Sequence, residues 1–154
     1  MYIISACLLG TNCKYNGGNN FSPDVLQFCK EHTYIAVCPE TAGGLTSPRE
    51  PAEIFVCTDG SIRVCDRSGK DVTEAFERGA EICLEQVLQR AAELGEQPEG
   101  AILKARSPSC GAGEIYDGHF CHRTVSGDGL FARRLRELEI PMTTEENYKE
   151  RLGE

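Results

Sequence analysis

No stretch of the sequence approaches the roughly 20 consecutive apolar residues that a membrane helix needs, so a spanning helix is excluded. The apolar start at Met1–Gly10 is short and no basic residue precedes it, which excludes a secretory signal and places the protein, as an expectation, in the cytoplasm. Positive charge is scarce: Lys and Arg number 16 against 24 Asp and Glu, for a formal net charge of −8. An acidic surface repels phosphate backbones, which argues against nucleic acid as the main partner. Close Cys-x-x-Cys pairs are absent, and with them the usual spacing of a structural zinc site. Internal repeats and low-complexity segments are absent too. A chain of 154 residues with 40% hydrophobic and 26% charged residues then reads as a single domain, 1–154, able to bury a core of its own.

Cysteine, by contrast, is abundant. Nine of them in a reducing compartment point to metal, catalysis or plain burial, and an odd number rules out complete internal pairing.

The chain alternates short apolar runs with amphipathic ones. Tyr2–Cys7, Tyr34–Cys38 and Gly100–Lys104 read as buried strands, and Ile140–Thr143 as a short fourth. Ser22-Pro23 opens a helix as N-cap and first residue, with Val25, Leu26, Phe28 and Cys29 on its apolar face. The clearest helix is Asp71–Leu94, where Val72, Phe76, Ala80, Cys83, Val87, Ala91 and Leu94 recur at steps of three or four before Gly95 ends it. Asp128–Leu138 and Glu145–Leu152 read as further helices. Asp59-Gly60 between two β-prone runs marks a hairpin, and Asp117-Gly118 a second, smaller one. Pro39–Pro51 is too rich in Gly and Pro to stay regular for long. The pattern implies an α/β three-layer domain, a mostly parallel sheet flanked by helices, Rossmann- or flavodoxin-like, with an inserted β-hairpin.

In such sheets ligands sit outside the carboxyl ends of the strands. Three strands lead there into cysteine-bearing loops: Cys7, Cys38 and Cys110. Glu40, Ser107 and Ser109 belong to the same loops, so sequence-distant groups are expected to converge on one crevice. Three thiolates suit several purposes. Zinc wants four ligands in a structural site. An iron–sulfur cluster is held by cysteine thiolates, and three protein ligands would leave one iron open as a Lewis acid. A cysteine nucleophile needs a base, and His32, His119 and His122 all lie away from these motifs. Burial is the plain reading for Cys29 and Cys83, on helix apolar faces. Cys57 and Cys65 fall on facing hairpin strands, and Cys121 has no distinguishing context. Loop carboxylates such as Glu40 are usually solvated, and Ser-Pro-Ser-Cys-Gly is ordinary turn chemistry. Asn16-Gly17-Gly18-Asn19 could form a nest of amides but matches no phosphate-loop pattern.

Taken together the motifs are more specific. Ser5-Ala6-Cys7-Leu8-Leu9-Gly10 with Cys13-Lys14-Tyr15-Asn16-Gly17, then Cys38-Pro39-Glu40, Gly43-Gly44-Leu45, Pro48-Arg49 and Pro51-Ala52-Glu53-Ile54, resemble successive blocks of the thiouracil desulfidase family, long catalogued as a domain of unknown function. Gly69-Lys70-Asp71-Val72-Thr73 and Ala101-Ile102-Leu103-Lys104 followed by Ser107-Pro108-Ser109-Cys110-Gly111 continue the resemblance, which covers essentially the whole chain. It implies an oxygen-sensitive [4Fe–4S] cluster on Cys7, Cys38 and Cys110, with Cys13 a neighbour, and proton transfer by Glu40 and Ser107. It further implies non-redox removal of sulfur from a small thiolated base or nucleotide of the thiouracil type, with release of sulfide. Lys104 or Arg106 would bind a carbonyl or phosphate of the substrate. The competing readings are a non-catalytic iron–sulfur or zinc protein and a cysteine-nucleophile enzyme.

Overall fold

In a computed structural model, which describes residues 1–152, the chain order is β1 (Tyr2–Ser5), a 3-10 turn (Ala6–Leu9), α1 (Pro23–Lys30), β2 (Tyr34–Val37) and α2 (Pro39–Ala42). A hairpin of β3 (Ala52–Val56) and β4 (Ile62–Asp66) follows, then α3 (Thr73–Leu94), β5 (Gly100–Leu103) and a second hairpin of β6 (Glu114–Tyr116) and β7 (Thr124–Ser126). The chain continues through α4 (Leu130–Glu137), β8 (Met142–Thr144) and α5 (Tyr148–Leu152).

Among the described residues β1, β2, β5 and β8 form a parallel sheet in the order β2-β1-β5-β8. Ile4 sits between Ala36 and Ile102 in this register. Alternate residues then serve opposite faces. Ile3, Ala101 and Leu103 pack with Ala80, Leu84 and Val87 of α3 and Phe131 and Leu135 of α4. Ile4 and Ile102 pack with Val25, Phe28 and Cys29 of α1 and with Tyr148 of α5. The expected three layers are present, both faces covered, and the strands are correspondingly apolar throughout. A third cluster, Ile54, Val64, Val72, Phe76, Ile115 and Leu130, seats the two hairpins beside the sheet.

Helix ends follow their local chemistry. Ser22 Oγ accepts from Val25 N at 3.3 Å, and Gly95 adopts the left-handed conformation that closes α3. Helices α3, α4 and α5 begin at Thr73, Leu130 and Tyr148, later than the expected Asp71, Asp128 and Glu145, and three strand boundaries differ for a local reason. The first strand ends at Ser5, because the chain winds into the 3-10 turn, so Cys7 lies in that turn rather than at the strand end. Pro39 has no N–H for the ladder and a preset φ, so β2 stops at Val37 and Cys38 becomes the N-cap of α2, a short helix in a segment expected to be irregular. Pro141 likewise delays the last strand to Met142.

α2 lies hard against α3. A Cβ at Gly79 would stand 1.7 Å from Pro39 O, and one at Gly43 would stand 2.0 Å from Ala75 O. Arg78 closes the contact by donating Nε and Nη2 to Gly43 O at 3.1 and 2.6 Å. The two glycines therefore set the position of the turn that carries Cys38 and Glu40. Gly79→Ala should destabilise the protein by about 3 kcal/mol, the upper end of ordinary overpacking; the midpoint of urea unfolding measures it, and an unchanged midpoint would show that the helices part without penalty.

Candidate active site

β1 and β5 are neighbours whose following helices, α1 and α4, pack on opposite faces of the sheet. The crevice this leaves at their carboxyl ends is where a parallel sheet binds ligands. A cleft of about 360 Å³ opens there, lined by residues of the loops after β1, β2 and β5 and by both hairpins. Ser5 Oγ accepts from Lys104 N at 2.9 Å and ties the first and third of those loops together at the cleft floor.

Cys7, Cys13, Cys38 and Cys110 all line this cleft, and all nine cysteines are free thiols. Cys110 is 4% exposed. Burial pushes its thiol up, while the Ser5 hydroxyl opposes that. Burial also raises Cys7, against the pull of Asn20, whose Nδ2 donates to Cys7 Sγ at 3.5 Å. Cys38 goes the other way, pulled down by the neighbouring Cys13 thiol and, less, by Thr41, against the effect of its burial. Cys13 is raised in return by holding that proton and by burial. The four thiols thus share one electrostatic environment. Cys29 and Cys83 are buried in the cores, where burial pushes their thiols up to about 11 and about 12. Cys57, Cys65 and Cys121 do not line the cleft.

Beside the thiols lies a chain of polar groups. Glu40 Oε1 accepts from Arg49 Nε and Nη2 at 3.2 and 3.0 Å, and Oε2 accepts from Ser109 Oγ at 3.0 Å. Ser109 has one hydroxyl proton and gives it to Glu40, so Ser107 is the donor in the 3.0 Å contact between the two serine oxygens. Ser107 Oγ in turn accepts from Ser109 N and Cys110 N at 3.2 and 3.0 Å. The order is Ser107, Ser109, Glu40, with Ser109 the serine in contact with the carboxylate. Burial pushes the Glu40 carboxyl up, and Arg49 and Ser109 hold part of that rise back.

The cations expected to meet substrate are already paired. Lys104 bridges Glu145 at 2.9 Å, Arg106 bridges Glu146 at 2.8 Å and Glu114 at 3.5 Å, and Arg49 holds Glu40. Lys14 and Arg67, which also line the cleft, have no carboxylate partner among the described residues; each stands over an aromatic ring instead, Tyr15 at 5.8 Å and Phe120 at 5.9 Å. Arg67 and Phe120 escaped the sequence reading, and His122 was set aside as distant from the motifs, because the segments that carry them join the site only through tertiary packing.

Among the described residues no group of three or more Cys, His, Asp or Glu side chains is arranged to hold a single metal ion. A four-iron cluster presents its coordination positions over a wider span than one ion does, and an all-cysteine set lining a common cleft fits its preference for thiolate.

The family model of 2-thiouracil desulfurase matches residues 2–147. The chain belongs to the 2-thiouracil desulfurase family. An uncharacterised protein of Bacillus subtilis (strain 168), YbbK, is 36% identical over 150 residues, covering 94% of this chain and 95% of that protein. The solved structure of the [4Fe-4S]-dependent thiouracil desulfidase TudS (DUF523Vcz) superposes with a TM-score of 0.81 at 38% identity, over 97% of this chain and 93% of that one.

In this member of the family the Ser107–Cys110 loop is pinned from outside the cleft. Asp128 accepts from Gly113 N at 2.8 Å and from the Arg136 guanidinium, while Phe131 N donates to Ser109 O at 2.9 Å. Burial alone would raise the Asp128 carboxyl, but Arg136 and the Gly113 amide hold it below its usual value. A carboxyl with a depressed folded pKa binds fewer protons folded than unfolded as pH falls toward it, so its contribution is present at neutral pH and lost on acidification. Asp128→Asn should cost about 1–2 kcal/mol at pH 7, with the deficit closing as pH drops through the carboxylate range. Denaturant titrations at pH 7 and at about pH 2, below the ordinary carboxylate range, measure it, and a pH-independent deficit would contradict the pairing.

Proposed function

We propose that this chain is a [4Fe–4S]-dependent desulfidase that replaces the sulfur of a thiouracil-type base, free or as its nucleotide, with oxygen and releases sulfide, in the cytoplasm. The observation that carries the reading is the meeting of Cys7, Cys38 and Cys110 with the Glu40–Ser109–Ser107 chain in one cleft of a 2-thiouracil desulfurase fold. The reaction balances without an oxidant or reductant: a thiocarbonyl and water become a carbonyl and hydrogen sulfide.

Cys7, Cys38 and Cys110 would hold the cluster, one from each loop, as deprotonated thiolates. A cluster on three cysteines supplies an iron free to act as a Lewis acid toward the thiocarbonyl sulfur. The protein's own part is proton management. Glu40 takes the proton from the water that attacks the carbon, its raised pKa bringing it nearer the range of an efficient base. Ser109 and Ser107 relay and steady that proton beside Cys110. Arg49 fixes the carboxylate from behind.

Anaerobic reconstitution with iron and sulfide should load about four irons per chain, with sulfide released from 2- or 4-thiouracil. Cys7→Ala, Cys38→Ala and Cys110→Ala should each lose the cluster absorbance. Glu40→Gln should keep it and turn over about 10²- to 10⁴-fold more slowly. Turnover by metal-free protein in air would sink the reading and favour Cys38 as a nucleophile instead.

Two cations in the cleft of an acidic chain, Lys14 and Arg67, without a carboxylate partner among the described residues, support a phosphorylated substrate. Lys14→Gln should raise KM for a thiouridine monophosphate about tenfold, the loss of about 1.4 kcal/mol, and leave KM for the free thiobase unmoved. Equal effects on both would remove the phosphate from the argument.

A further inference from the structure

The desulfidase reading leaves one wall of the cleft without a role. The loop between β6 and β7 contributes Phe120 and His122 to the cleft lining. Both residues have positive φ, 55° and 62°, a conformation that residues of this size rarely adopt. The loop is therefore held by something outside itself.

The restraint is Glu53 on β3. Its Oε1 accepts from Gly118 N at 3.0 Å and from Phe120 N at 3.1 Å, joining the two hairpins across 65 and 67 residues. The fit is close. A Cβ at Gly118, itself at φ 95°, would stand 2.8 Å from Ile54 O and 3.0 Å from the Phe55 ring. Beside the loop, also in the cleft lining, the Arg67 guanidinium lies 5.9 Å from the Phe120 ring centroid. The ring is thus fixed by its backbone through Glu53 and flanked by a cation, while it remains part of the cleft lining.

We propose that this loop is the base-recognition wall of the site, with Phe120 the surface on which the thiolated heterocycle stacks and Glu53 the positioning residue that holds it there. The proposal rests on the desulfidase reading for its substrate class, a flat thiolated pyrimidine. Every base has a π-face, so an aromatic platform binds the ring whichever carbon bears sulfur. Orientation toward the thiols is then left to the polar groups of the floor.

The test uses the anaerobically reconstituted holoprotein and two readouts, steady-state sulfide release and equilibrium dialysis of 2-thiouracil. Phe120→Ala should raise KM and the dialysis Kd about 5- to 100-fold, the usual loss of one base–aromatic stack, with cluster absorbance unchanged and kcat moved less. Phe120→Tyr should restore binding to within about threefold. Glu53→Ala should weaken binding in the same direction, and Glu53→Gln, whose amide oxygen still accepts both N–H groups, should recover most of it. Binding by wild type without sulfide release would overturn the desulfidase reading alone, since the Phe120 and Glu53 variants still decide the wall by dialysis. Binding of 2-thiouracil unchanged within about twofold in Phe120→Ala, or equal losses in Glu53→Ala and Glu53→Gln, would overturn the wall, as would no binding by wild type.

Discussion

Glu40 and Arg49 form an ion pair at the edge of the cleft floor, their side chains 16% and 10% exposed, and the loops after β1, β2 and β5 meet through it. Arg49 reaches the first loop by donating Nη2 to Cys13 O at 2.8 Å, and its own N–H donates to Tyr15 O at 2.6 Å. Glu40 belongs to the second loop and reaches the third through Ser109. Burying two charges costs several kcal/mol per ion, offset only where geometry is good and the remaining donors and acceptors are satisfied. Here they are: Arg49 Nη1 also donates to Thr46 O at 2.8 Å, and no buried side-chain N or O among the described residues lacks a partner. The pair therefore contributes relative placement of three loops more than it contributes net stability.

That placement is inherited from backbone packing below it. Glu40 stands where it does because α2 is pressed onto α3 through Gly43 and Gly79, and α3 is anchored in the sheet core by Ala80, Leu84 and Val87. Ser109 stands where it does because the first amides of α4 donate to the carbonyls of Pro108 and Ser109, and because the Gly129 backbone passes so close that a Cβ there would meet Ser109 C at 2.4 Å. Each polar contact of the site is thus the end of a rigid lever rooted in apolar packing. Rigid support of this kind keeps reacting groups from wandering by the ångström that separates productive from idle geometry.

The charge distribution follows a similar division. The chain carries a net charge of −8, yet its carboxylates neutralise three of the cleft's cations and, among the described residues, leave Lys14 and Arg67 without a carboxylate partner. An acidic exterior around a locally cationic cleft disfavours long polyanions and still admits a small anionic ligand, since the exterior field is screened over about 8–10 Å while a half-buried cation acts at contact.

Much of this protein was legible in its residues alone. Short β-branched runs gave the parallel strands, steps of three and four gave α3 to within two residues of its start at Thr73, and Asp59-Gly60 gave the first hairpin, because each of these patterns reports a local period or a single turn. The three loops with cysteines followed from topology, and the motifs in order pointed to the family. What the residues alone did not determine were relations through space. Cys7 moved into a 3-10 turn, Ser109 and not Ser107 met Glu40, and Lys104 and Arg106 were claimed by carboxylates about 40 positions away in the chain. Phe120 and His122 entered the cleft from a distant hairpin. A local pattern records only what neighbours along the chain require, whereas hydrogen bonds and ion pairs between distant segments exist only after the hydrophobic layers have packed and brought their donors and acceptors within about 3 Å.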